Sequence, residues 1–130
     1  MKLNSNRHSV FKLDYHLIMC IKYRCKVLNN AISASLRSTF ERICRNYNIE
    51  LKEWEHDKDH VHCLFEGQPD SELSKFISIY KSASSRLIKN EFPIICEQLW
   101  KEYFWSWSFC LITAGGAPLD VKHYIRNQDI

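Results

Sequence analysis

Two histidines, His60 and His62, flank a single valine in the stretch KDHVHCLFE, where a charged segment gives way to an apolar one. Side chains two apart on a β-strand leave from the same face, so both imidazoles are presented together while Val61 turns the other way. Two neutral imidazoles suit a divalent ion, although a complete coordination set needs further oxygen or nitrogen donors. The competing reading is two partly exposed polar residues at a strand start. Further along, Tyr124 and Gln128 lie one helical turn apart, placing a phenol and an amide oxygen on one helix face. Tyrosine is a poor nucleophile at its ordinary pKa of about 10. It forms a covalent phosphodiester when a metal polarises the phosphate and the phenolic proton is removed. Here the competing reading is a terminal helix packed by Tyr124 and Ile125.

These groups need elements that hold them. The apolar run YHLIMCIKY predicts a buried strand over residues 15–23 with a basic exit. Ile32, Leu36, Phe40, Ile43 and Tyr47 recur at three- and four-residue steps, predicting a helix over 30–47. IELKEWEHD and HVHCLFEG predict a hairpin turning at the intervening Lys58 and Asp59. Leu73, Phe76, Ile77, Tyr80, Leu87 and Ile88 predict a second helix, opened near Ser71 and stopped by Pro93. YFWSWSFCLIT, over 103–113, carries large side chains on both faces, as a central or interface strand would. A Gly-Gly turn, with Gly115 and Gly116 as a hinge, and Pro118 then lead into a short last helix. The first six elements follow the α+β, ferredoxin-like split βαβ order: a four-stranded antiparallel sheet with two helices on one face. The other face stays open to the histidines.

A chain of 130 residues with 45% hydrophobic content supports one core, so residues 1–130 read as a single domain, with a polar segment at 1–14 and a hinge and helix at 114–130. Lysine and arginine number 18 against 15 acidic residues, a formal charge of +3 that suits an anionic partner without approaching a histone-like balance. Six scattered cysteines without a C-x-x-C pair read mostly as small core hydrophobes, and their spacing is not that of a zinc knuckle or a secreted disulfide scaffold. The polar start and the short apolar runs predict neither a signal peptide nor a membrane span, making the cytoplasm the default location.

In order, YHLIMCIKYR, DHVH, YKSASSRLIK, LWKEYFWSWSF, TAGG and HYIRNQ resemble the TnpA-type, single-tyrosine HUH transposases of minimal bacterial and archaeal insertion sequences. The resemblance spans nearly the whole chain. It implies a ferredoxin-like (RRM-like) homodimer, formed through a merged sheet, with active sites shared between subunits. Its partner is single-stranded DNA at hairpin-marked transposon ends. It also implies Tyr124 as nucleophile, and His60, His62 and Gln128 as ligands of Mg²⁺ or Mn²⁺. Cleavage then leaves a 5′-phosphotyrosine and a 3′-OH, and rejoining needs no nucleotide cofactor. Many relatives continue beyond the equivalent of Gln128, and contacts made by that tail are expected to be weaker here.

Lys22, Arg24 and Lys26 after the first strand, and Lys81, Arg86 and Lys89 on the second helix, are candidate phosphate contacts, with solvated faces as the alternative. Tyr23, Trp105 and Trp107 can stack on bases, although aromatics in such a run more often fill a core or dimer interface. Asp57 and Asp59 read first as turn residues and second as hydrogen-bonding support for the histidines. Other function classes fit part of the pattern. They are a domesticated HUH nuclease of repeated chromosomal hairpins, a replication-type nicking enzyme, a non-catalytic RRM-like nucleic-acid-binding module and a structural metal protein.

Overall fold

The computed structural model describes residues 3–5, 10–93, 95, 99, 103–114 and 124–126. A small antiparallel ribbon, β1 (Asn4–Ser5) with β2 (Val10–Phe11), precedes β3 (Leu13–Cys20). Then come α1 (Asn30–Cys44), β4 (Glu50–His56), β5 (His60–Gly67), α2 (Leu73–Glu91) and β6 (Cys110–Thr113). The main sheet runs β4-β5-β3-β6 with every pairing antiparallel, which is the ferredoxin-like order expected from the sequence.

One face of this sheet is the core. Leu17 and Met19 of β3 and Val61, Cys63 and Phe65 of β5 alternate toward Ile32, Leu36 and Phe40 of α1 and Phe76, Ile77 and Tyr80 of α2, all buried. Phe40 is the hub of this layer, meeting Phe76 and Tyr80 edge-on with centroids 5.1 and 5.0 Å apart. α1 is capped by Asn29, whose side chain accepts the Ile32 amide hydrogen at 2.9 Å; such caps contribute about 1 kcal/mol.

Several boundaries differ from expectation, each for a local reason. β3 starts two residues early, at Leu13, inside the segment read as polar, and stops at Cys20. Residues 22–24 then form a 3₁₀ turn in which Tyr23 and Arg24 take φ of 58° and 53°. α1 ends at Cys44, short of Tyr47, because Asn48 turns left-handed (φ 56°) and the Ile49 amide returns to the Cys44 carbonyl at 3.1 Å. Tyr47 still stacks on Phe76, 5.7 Å between centroids, which is why the helical periodicity continues past the helix. α2 begins at Leu73 because the Ser71 hydroxyl donates to the Tyr47 carbonyl at 2.8 Å instead of capping a helix. It ends before Pro93, with Phe92 pushed out of helical backbone as a pre-proline residue should be.

The largest correction concerns the aromatic run. Only Cys110–Thr113 is strand, and it pairs with β3 as the edge of the described sheet rather than its centre. Residues 103–109 are diverted by side-chain anchors. Ser85 Oγ accepts the Phe104 amide hydrogen at 3.1 Å, and Ser84 Oγ accepts the Trp105 indole hydrogen at 2.8 Å. Lys81 Nζ takes the Ser106 and Trp107 carbonyls at 2.7 and 2.9 Å, leaving a single bridge between Trp105 and Ile21. Phe104 and Trp105 join the core, while Tyr103 and Trp107 are 62% and 79% exposed.

Candidate active site

The face away from the helices carries the candidate residues. On β3 it presents His16, Ile18 and Cys20, and on β5 His60 and His62, with Cys20 opposite His60 and Ile18 opposite His62. The strand geometry inferred from H-x-H is therefore the one observed: Val61 is buried on the helix side and both histidines stand on the other. Ile18 and Cys20 are also fully buried, although no helix of the core layer covers them. Their cover is Tyr124 and Ile125, in a helical turn over 124–126, together with Cys110 and Ile112 of β6. Tyr124 thus packs on the two β3 residues that face the histidines across the ladder. Burial pushes the Cys20 thiol up to about 11, so it lies here as a protonated, apolar neighbour.

His60 is held from behind. Its Nδ1 lies 2.8 Å from Asp59 Oδ1, and Asp59 Oδ2 accepts from Arg24 Nε and Nη2 at 3.0 and 2.9 Å. Burial works to raise the Asp59 carboxyl, but the bonds from His60 and Arg24 outweigh it and keep the group below the usual carboxylate range. An ionised Asp59 fixes the proton of His60 on Nδ1 and leaves the lone pair on Nε2, the arrangement of an oriented metal-binding imidazole. Asp59 is therefore more than the turn residue preferred from sequence. Asp57 keeps that role, its carboxylate accepting the Lys58 amide hydrogen at 2.7 Å.

His62 has a partner absent from the sequence reading. Its Nε2 is 3.0 Å from Nδ1 of His16, the two rings 5.1 Å apart. Burial first, and then His16, hold the His62 pKa below the ordinary imidazole value, against the opposing pull of Glu55 and Glu53 on β4. The ring is neutral at neutral pH. The available signal for His16 was its β3 position, two residues before Ile18 on the same strand face.

Tyr124 Oη lies 3.0 Å from Ser108 Oγ, and burial raises its pKa while that hydrogen bond works to lower it. The phenol therefore rests protonated. Gln128, Gly115 and Gly116 lie outside the described residues, as do Cys96 and Pro118. Among the described residues no group of three or more His, Cys, Asp or Glu side chains is gathered to hold a metal. The donor chemistry nevertheless fits a divalent ion: the Nδ1 of His60 is engaged by a carboxylate, which turns Nε2 toward a ligand, and His62 is a neutral imidazole on the same face.

The six candidate phosphate contacts divide. Arg24 is spent internally, on Asp59 and on the Ile125 carbonyl, which accepts from its Nη1. Lys81 is half-buried against the Ser106 and Trp107 carbonyls, and burial lowers its pKa. Lys22 lies over the rings of Tyr23 and Trp107, at 5.4 and 5.9 Å. Lys26 and Arg86 are exposed, and Lys89 is partly so. Trp105 belongs to the core, whereas Tyr23 and Trp107 are open to solvent. A cleft of about 260 Å³ lies beside Trp107, lined also by Lys81, Tyr103 and Phe109.

Comparison with known proteins gives a consistent answer. The family model described as "Transposase IS200 like" matches residues 9–128. The ISDra2 transposase TnpA of Deinococcus radiodurans is 30% identical over 129 residues, covering 98% of this chain and 92% of that protein. The transposase for insertion sequence element IS200 of Salmonella typhimurium is 25% identical over 121 residues, covering 93% and 80%. The crystal structure of a candidate transposase from Deinococcus radiodurans R1 superposes with a TM-score of 0.86 at 31% identity, covering 97% and 98% of the two chains. A REP-associated tyrosine transposase, solved bound to a REP hairpin, shares the fold at a TM-score of 0.53 and 18% identity, covering 94% and 68%.

Proposed function

The chain belongs to the IS200-like transposase family, and from that premise we propose that it cuts and rejoins single-stranded DNA at hairpin-marked transposon ends, using Tyr124 as nucleophile. The observation that carries this reading is the convergence on one sheet face of His60, His62 and the segment bearing Tyr124, which sits on Ile18 and Cys20. His60, His62 and Gln128 would hold Mg²⁺ or Mn²⁺, and the ion, when bound, would polarise the scissile phosphate. The chain's own part is to orient and to move one proton. Tyr124 Oη attacks phosphorus as its proton leaves, an O–P bond to the tyrosine forms, and the bond to the 3′-oxygen breaks. That oxygen gains a proton to become a 3′-OH, while the 5′ strand stays on Tyr124. Attack by a second 3′-OH reverses the exchange. One phosphodiester replaces another at each step, so no nucleotide cofactor is required.

We further propose that the active form is a cytoplasmic homodimer that shares its sites. Within the single chain the Tyr124 segment covers its own sheet. A connection containing Gly115 and Gly116 would let the same segment reach the partner. The hairpin preference is supported by the fold-mate solved on a REP hairpin.

The test is incubation with Mg²⁺ or Mn²⁺ and single-stranded DNA carrying the element's own hairpin end. A covalent adduct on the 5′ side of the break, mapped to Tyr124 and lost in Tyr124→Phe with hairpin binding retained, is expected. A 3′-linked adduct, or equal cutting of fully paired duplex, refutes the reading. For shared sites, mixed His60→Ala and Tyr124→Phe subunits should cut where neither variant does alone; heterodimers that bind hairpin yet stay inactive would exclude sharing.

A further inference from the structure

We propose that Arg24 is a positioning residue that couples docking of the tyrosine-bearing segment to the orientation of His60, an inference that rests on the roles given to His60 and Tyr124 above. Its guanidinium faces both halves of the site. Nε and Nη2 fork onto Asp59 Oδ2 at 3.0 and 2.9 Å, and Nη1 donates to the carbonyl of Ile125, the residue after Tyr124. Asp59 in turn takes the Nδ1 hydrogen of His60 at 2.8 Å. One side chain therefore joins the nucleophile's backbone to the carboxylate behind the imidazole, across 101 residues of sequence.

The local backbone is built for this contact. Tyr23 and Arg24 both adopt left-handed φ, 58° and 53°, which L-residues with side chains rarely take. Consecutive residues held there need an over-determining frame, and the frame is present. The Ile21 amide donates to the Asp59 carbonyl, and the Lys22 amide to the Phe104 carbonyl, both at 2.9 Å. The turn reverses the chain at the end of β3 and returns Arg24 to the start of β5. There the Arg24 and Asp59 side chains retain only 17% and 14% exposure, so water competes poorly for their hydrogen bonds.

The residue type matters as much as its place. A planar guanidinium presents donors in several directions and so serves a carboxylate and a separate carbonyl at once, whereas a lysine ammonium gathers its donors on one nitrogen. When the tyrosine segment departs, Nη1 loses the Ile125 acceptor and the guanidinium loosens on Asp59. When a tyrosine segment docks, the chain's own as here or a partner's in the shared form proposed above, Asp59 and His60 are fixed with it. Arrival of the nucleophile and ordering of the imidazole become one event.

The experiment compares the full-length wild type with Arg24→Lys, Arg24→Gln and Asp59→Asn. Three readouts are taken: Mn²⁺ affinity by calorimetry without DNA, amide hydrogen exchange of the peptide containing Tyr124, and single-turnover cleavage of hairpin-bearing DNA. Arg24→Lys keeps a cation beside Asp59, so Mn²⁺ affinity should stay within about 3-fold. Exchange at the Tyr124 peptide should accelerate, and cleavage should slow by about 10- to 100-fold as the nucleophile is misplaced. Asp59→Asn should weaken Mn²⁺ binding by about 10- to 100-fold, and Arg24→Gln should show both defects. Wild-type exchange and cleavage in Arg24→Lys would overturn the coupling, as would a Mn²⁺ defect equal to that of Asp59→Asn. If wild type gives no Tyr124 adduct, the functional assignment fails on its own, while the exchange comparison still decides whether Arg24 holds the segment.

Discussion

The contact between His16 and His62 predicts an unusual sign for a mutation beside the proposed metal site. His16 Nδ1 and His62 Nε2 are 3.0 Å apart, so one donates and the other accepts. In either tautomer Nε2 of His62 is occupied, and an ion that takes this nitrogen must first displace His16. A net hydrogen bond between neutral side chains contributes about 0.5 to 1.5 kcal/mol. Removing it from the metal-free state should therefore raise affinity by about 2- to 13-fold, toward the lower end because this pair is only partly buried. His16→Leu is the cleanest perturbation, since the position lies between Leu64 and Ile112 across the ladders and an apolar side chain suits that surface. Calorimetric Mn²⁺ titration of His16→Leu against wild type, with His62→Ala as the loss-of-ligand control, gives the measurement. Tighter binding supports competition. Weaker binding would refute it and make His16 a ligand in its own right; unchanged affinity would mean that the ion does not use His62 Nε2.

Three further outcomes follow from the geometry. Ser84→Ala strands the buried Trp105 indole N–H, bonded to Ser84 Oγ at 2.8 Å, and should cost about 1–3 kcal/mol in urea unfolding with an unchanged slope; a loss below about 0.5 kcal/mol would reject that anchor. Trp107→Ala, at a 79% exposed position, should leave stability within about 0.5 kcal/mol. It should also weaken single-stranded DNA binding by about fivefold or more if the ring stacks on a base, and unchanged DNA affinity would dismiss stacking. Alkylation of the native protein at pH 8 should spare Cys20 and Cys44, whose thiols burial pushes up to about 11 and about 12, and the buried Cys63. Mass-spectrometric labelling of those three at the rate of the unfolded chain would contradict the core assignment.

The fold was legible wherever burial on one side imposes a period. Leu17 and Met19, Val61 and Phe65, and the spaced apolar residues of α1 and α2 all face one core, and their alternation is visible without coordinates. The aromatic run was not legible, because bulky residues on both sides of a segment signal burial but not pairing. Phe104 and Trp105 are buried by the serines of α2, and the carbonyls of Ser106 and Trp107 are taken by Lys81. Long-range hydrogen bonds of this kind leave no periodic trace, so four strand residues were read as eleven.

The same distinction governs the site. His60 and His62 declare themselves because strand spacing alone puts them on one face, and Tyr124 because a family motif carries it. Residues whose role depends on tertiary approach do not. Arg24 sits between Lys22 and Lys26 and reads as one of three cations awaiting phosphate, yet its left-handed backbone turns it inward onto Asp59 and Ile125. Asp59 reads as a turn residue beside Asp57 until Arg24 and His60 are seen to bind it from two sides. Positive charge in sequence therefore overstates the phosphate-binding surface here: two of the six candidate cations satisfy internal acceptors. Exposed Lys26 and Arg86 are left as the better candidates for steering DNA. Substituting these two should lower DNA affinity and flatten its salt dependence while sparing Mn²⁺ affinity, because neither bonds to Asp59, His60 or His62. Arg24→Gln should do the reverse, a contrast that separates an internal cation from a phosphate contact when the salt titration is set beside the Mn²⁺ titration.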